Sequence, residues 1–116
     1  MSKENYRRIT FHITTAEPLA AGEQVFVSGT IPAFGSWEPD GLPLTRVDDA
    51  IWSGFADILA SERVEFKITR GTWQNQAVDE EGNELENQLI RPGNPDLTVN
   101  QFVTHWLDDT AATLAE

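Results

Sequence analysis

The run Val64-Glu65-Phe66-Lys67-Ile68-Thr69 alternates apolar and polar side chains without a break, and this period of two constrains the fold more than any other feature of the chain. Alternation of this kind buries one face of a β-strand, whereas on a helix it would scatter apolar groups around the axis. Lys67 therefore points away from the core. Arg8 to Thr14 repeats the pattern, with Ile9, Phe11 and Ile13 set against Thr10, His12 and Thr14. Gln24 to Ser28 reads as a second strand with Val25 and Val27 on one face. From Ile51 to Ile58, Trp52, Gly54, Ala56 and Ile58 share a face and Phe55 takes the other. The pattern there leaves a helical alternative open.

Turn chemistry separates these runs. Glu17-Pro18, Ala21-Gly22, Asp40-Gly41, Asp48-Asp49-Ala50 and Pro92-Gly93-Asn94-Pro95 are turn or break signals. Leu42 to Thr45 is short and extended, and Pro43 confines it to a sheet edge because it has no N–H to donate. Asp79 to Asn83 has the makings of a hairpin loop flanked by Gln76 to Val78 and Gln88 to Ile90, and Leu97, Val99 and Phe102 to Trp106 supply the last strands. The predicted class is an all-β sandwich of seven to eight strands. It forms one domain over 1–116, with the sandwich at about 8–107 and a polar tail at 108–116 that frays or forms a helical turn at Ala111 to Leu114.

Charge and composition remove several classes of function. Nineteen acidic against eight basic residues give a net charge of −11, which repels nucleic acid and anionic membranes and favours a neutral ligand. The chain has no cysteine, so it can form neither a disulfide nor a thiolate metal site. Asp79 to Asn83 does not fit calcium-loop spacing, and no metal or cofactor is indicated. No apolar stretch approaches a membrane span and no signal peptide precedes Arg8, so the expected compartment is the cytoplasm if Met1 is the natural start. A Gly-x-Ser-x-Gly elbow is missing, and His12 and His105 lie in strand-like runs without a nucleophile partner. Asp79, Glu80, Glu81, Glu84 and Glu86 crowd a single hairpin, where a glycosidase pair needs fixed, opposed carboxylates. The expectation is a protein that is not an enzyme.

Gly29-Thr30-Ile31-Pro32-Ala33-Phe34-Gly35-Ser36-Trp37-Glu38-Pro39 is too rich in Gly and Pro for regular structure, yet it carries a tryptophan. An indole held out on a loop needs something to cover it, and a sugar ring suits a neutral-ligand protein. Trp73, in Arg70-Gly71-Thr72-Trp73-Gln74, follows the most regular strand and can lie beside Trp37. The competing readings are that Trp37 caps one end of the sandwich and that Trp73 faces inward. Trp52 and Trp106 fit the core better than a ligand site.

The run from Val25 to Pro39, together with Pro43-Leu44, Ile51-Trp52, Val64 to Ile68, Trp73, Asn87 and Val103-Thr104-His105-Trp106, resembles the starch-binding domains, the family 20 carbohydrate-binding modules. The most specific part is Gly-x-Ile-Pro-x-x-Gly-x-Trp-x-Pro, and the likeness extends over about residues 8 to 107. It implies an immunoglobulin-like antiparallel sandwich and a non-catalytic module that binds α-glucan such as starch or glycogen, with Trp37 and Trp73 stacking on the sugar and Lys67 and Asn87 bonding to hydroxyls. Glu38 and Gln74, each directly after a platform tryptophan, are candidate further contacts. Apolar C–H faces of glucose suit flat aromatics, while ammonium and amide groups fix the hydroxyls. Gln88 stands where relatives commonly have arginine, and Ala20 and Asp48 fall near the positions of second-site tyrosines. The second site of the family is therefore expected to be absent. The segment around Trp73 is also similar to a subgroup found beside bacterial esterase-like domains, so the alternative function is a structural domain packed against a catalytic partner.

Overall fold

Alternation in sequence becomes alternation in burial in the computed structural model, which describes residues 5–93 and 95–108. Strand β1 (Tyr6–Thr15) buries every second side chain, with Ile9, Phe11 and Ile13 wholly removed from solvent. The other strands are β2 (Phe26–Gly29), β3 (Leu42–Pro43), β4 (Thr45–Asp48), β5 (Ile51–Leu59), β6 (Val64–Thr69), β7 (Ala77–Val78), β8 (Gln88–Ile90), β9 (Leu97–Val103) and β10 (His105–Trp106). They form one four-stranded sheet in the order β4-β5-β1-β9, a second in the order β3-β2-β6-β8, and a small β10-β7 pair. Pro43 lies on an edge strand, as its missing N–H requires.

The two four-stranded sheets face one another across a core that contains Phe11, Val25, Val27, Trp52, Val64, Phe66, Ile68 and Trp106. Phe11 meets Phe66 edge-on, with ring centroids 5.2 Å apart. The residues from Ile51 to Leu59 form a strand, and Trp52 is buried while Phe55 stays 51% exposed on the opposite face. The guanidinium of Arg8 covers that ring 3.9 Å from its centroid and also bonds Asp57 at 3.0 Å. A Cβ on Gly54 would come within 2.7 Å of Leu44 Cδ2, so a larger residue there would require the Leu44 side chain to shift.

Two expectations need correction. The sandwich is not wholly antiparallel: β9 runs parallel to β1, with Phe11 opposite Val99 and Thr15 opposite Val103. Nor do the flanks of the Asp79 to Asn83 loop pair with each other. Strand β7 pairs with β10 and β8 pairs with β6, leaving a single bridge from Val78 to Glu84 across the loop. Burial accompanies the divergence, since buried Ala77 pairs with buried Trp106 and buried Ile90 with buried Val64. At the carboxyl end Asp108, the first residue of the expected tail, bonds Arg70. The rest of that tail, including the helical turn expected at Ala111 to Leu114, lies outside the described residues.

Phe34 also inserts into this core, fully buried and edge-on to Phe11 at 5.5 Å. Phe34→Ala should lower unfolding free energy by about 3–5 kcal/mol, read from urea denaturation; a loss under about 1 kcal/mol would show that the ring is not an anchor. The hydrogen bond from Arg8 holds the Asp57 carboxyl below the ordinary carboxylate range. Because the folded pKa is depressed, the pair contributes above the unfolded carboxylate pKa and is lost as pH falls through the folded value. Arg8→Met should therefore raise the Asp57 midpoint measured by carboxyl-carbon NMR.

Candidate functional site

The outer face of β6 presents Glu65 and Lys67, and two loops bring a tryptophan each to its edge. The first loop leaves β2 at Gly29 and turns through Pro32–Trp37, a 3₁₀ segment interrupted at its centre. Gly35, Ser36 and Trp37 all have positive φ, of 77°, 49° and 70°. Gly35 is obligatory here, since a Cβ would lie 2.8 Å from Gly41 Cα. Left-handed conformation costs a side-chain-bearing residue about 1–2 kcal/mol, so Ser36 and Trp37 are held against preference. Burial of Phe34 offsets that cost. Two buried hydroxyls then fasten the returning chain to the sheet: Ser28 Oγ donates to the Glu38 carbonyl at 2.6 Å and Thr69 Oγ1 to the Pro39 carbonyl at 2.5 Å. Trp37 is thereby drawn along β6 toward its carboxyl end.

Trp73 opens a second 3₁₀ turn, Trp73–Asn75, just beyond that end. The side-chain oxygen of Asn75 accepts from the backbone N–H groups of Arg70 and Thr72 at 3.1 and 3.0 Å, closing the turn. The ring centroids of Trp37 and Trp73 are 6.3 Å apart and their planes are inclined by 48°. With Lys67, Glu84 and Asn87 they line an open depression of about 340 Å³. Both indoles are half-buried.

The polar members form two hydrogen-bonded groups, one around Lys67 and one around Glu65. Lys67 Nζ donates to Glu84 Oε1 at 3.0 Å and to Gln76 Oε1 at 3.3 Å, and Gln76 Nε2 donates to the Trp73 carbonyl at 3.1 Å. Asn87 Nδ2 donates to Glu65 Oε1 at 3.1 Å. Lys67 keeps only 15% of its side chain exposed, although it lies on the outer face. Among the described residues no group of histidines and carboxylates is placed to hold a metal ion.

Four of the six residues singled out from sequence converge on this depression: Trp37, Trp73, Lys67 and Asn87. Glu38 and Gln74 are exposed neighbours that do not line it. Trp52 and Trp106 are buried in the core, as expected. Sequence reading missed Glu84 as a lining residue and Gln76 as the link between Lys67 and Trp73. Nothing in the sequence separates Glu84 from Glu80, Glu81 and Glu86. Its place follows from the bridge that holds its backbone to Val78. A larger depression of about 480 Å³ opens between the β1–β2 connection and β10. Its lining includes the exposed His105 and the indole of Trp106, which is buried and lies 5.0 Å beneath the Arg70 guanidinium. That hollow offers no exposed indole face for stacking.

Comparisons with known proteins bear on the family and the fold. The sequence profile of the starch binding domain matches residues 6–95. An amylopullulanase of Thermoanaerobacterium thermosulfurigenes is 28% identical over 105 residues, which make up 87% of this chain and 6% of that enzyme. Among solved structures, a glucoamylase of Hypocrea jecorina superimposes with a TM-score of 0.66 at 19% identity, over 90% of this chain and 18% of the glucoamylase. The family 20 module of a maltotetraose-forming amylase from Pseudomonas saccharophila superimposes with a TM-score of 0.56 at 16% identity, over 82% of this chain and 99% of that module. The chain thus spans a small part of the enzymes it matches and nearly the whole of the isolated module. It belongs to the starch-binding domain family, the family 20 carbohydrate-binding modules, which bind α-glucan and are not themselves catalytic.

Proposed function

We propose that this chain binds α-glucan at the depression beneath Trp37 and Trp73, the two indoles taking the apolar faces of neighbouring glucose rings. The observation that supports this most strongly is the inclined ring pair, 6.3 Å between centroids at 48°, set over Lys67 and Asn87. Coplanar indoles would suit a flat chain, whereas inclined ones follow the curve of an α-1,4-linked glucan. Lys67 and Asn87 then direct the sugar through its hydroxyls. Each hydrogen bond contributes about 1 kcal/mol net, so stacking carries the larger share of affinity. Fusion to, or association with, a catalytic domain belongs to this proposal.

Gln76 acts through its neighbours, holding the Lys67 ammonium and the Trp73 carbonyl with one amide. It is a positioning residue. Glu38 and Gln74 are proposed to contact the outer part of a longer glucan, being next to the platform without lining it.

Trp37→Ala and Trp73→Ala should each weaken maltoheptaose binding by about tenfold or more and release the protein from starch on an affinity gel. The far-UV circular dichroism should stay unchanged. Unfolding of the Trp37 variant would identify that ring as a cap on the sandwich, and full retention of both variants on starch would refute the platform. Gln76→Ala should weaken binding by a few-fold and broaden the Lys67 ammonium environment in NMR, whereas an unchanged affinity would leave Gln76 a purely structural residue.

A further inference from the structure

The site sits in a negative field that a neutral sugar does not feel. Between Gly71 and Ile90 the chain carries Asp79, Glu80, Glu81, Glu84 and Glu86 and no lysine, arginine or histidine. Glu84 brings that charge into the depression itself, where the lining contains a single cation, Lys67. The ammonium is already paired with the Glu84 carboxylate at 3.0 Å and engaged by Gln76. On the opposite margin, the Glu65 carboxylate accepts from Asn87 at 3.1 Å and from Arg63 at 3.1 Å. Exposed Glu38 follows Trp37 directly.

We infer that the site selects neutral α-glucan against α-glucan carrying phosphate monoesters, and that Glu84 is the residue that sets this preference. The inference rests on the α-glucan reading above. A sugar hydroxyl can donate to the Glu84 carboxylate and accept from Lys67 at the same time. A phosphate monoester, with about −1.5 to −2 charges and acceptor oxygens near neutral pH, can donate nothing useful to Glu84 and meets its charge at close range. It would have to displace the carboxylate from Lys67 before using the ammonium. Discrimination of this kind comes from a repulsive element placed against the wrong ligand rather than from an added contact to the right one. Being electrostatic and near the surface, it decays with salt over a Debye length of about 8 Å at physiological ionic strength and about 3 Å at 1 M.

The test is a pair of titrations of the whole protein, followed by tryptophan fluorescence, with maltoheptaose and with maltoheptaose bearing one phosphate monoester. At low ionic strength the phosphorylated ligand should bind about fivefold or more weakly. The ratio should shrink toward one in 1 M NaCl and in Glu84→Gln, and stay unchanged in Glu17→Gln, which removes the same charge from a remote loop. Equal or tighter binding of the phosphorylated ligand would overturn the inference. So would a ratio that neither salt nor Glu84→Gln alters, which would mean discrimination by shape. Absence of binding by either ligand would instead remove the α-glucan reading, and this inference with it.

Discussion

Phe34 joins the two parts of this molecule. Its ring is buried edge-on against Phe11 on the inward face of β1, and Phe11 in turn meets Phe66 on β6. The loop that carries Trp37 is therefore fastened to the strand whose outer face carries Lys67. Without that anchor, a segment with three consecutive residues at positive φ would relax toward commoner conformations. A few kcal/mol of aromatic burial is enough to hold the strained turn. The indole stays half-exposed because the phenyl ring three residues earlier is fully buried.

The site inherits its order from the core through a second route. Alternation on β6 sends Val64, Phe66 and Ile68 inward and leaves Glu65 and Lys67 outward, so packing of one set fixes the positions of the other. From Lys67 the order passes through Gln76 to the backbone of Trp73 and through Glu84 to the acidic loop. Each bond alone is weak and partly solvated. Together they join the ammonium to both flanking loops, and this limits the conformational freedom that a ligand would otherwise have to remove on binding.

Acidity serves more than one purpose in this arrangement. Over the chain as a whole it amounts to a net charge of −11, and in the Asp79 to Glu86 loop it borders the proposed sugar site through Glu84. A binding module for a neutral polymer loses nothing by such a field, because hydroxyl groups have no net charge for it to repel. Under the proposed reading, the aromatic platform supplies affinity and the charge restricts which ligands use it. The two contributions come from different segments and can be altered separately.

Sequence by itself determined the strands with clean alternation, the all-β class and the two loop tryptophans, since period-two burial and Gly/Pro punctuation are local properties of the chain. It also named Trp37, Trp73, Lys67 and Asn87, the last two through family resemblance rather than pattern. Tertiary structure alone decided that β9 lies parallel to β1, that β7 and β8 part to different partners, and that Glu84 rather than its acidic neighbours enters the site. The physical reason is common to all three. Strand pairing is chosen by which buried faces meet across the core, and Gln76 and Glu84 acquire their roles from residues 9 and 17 positions away from them, at Lys67. Periodicity reports which way a side chain faces; only the closed core reports what it faces.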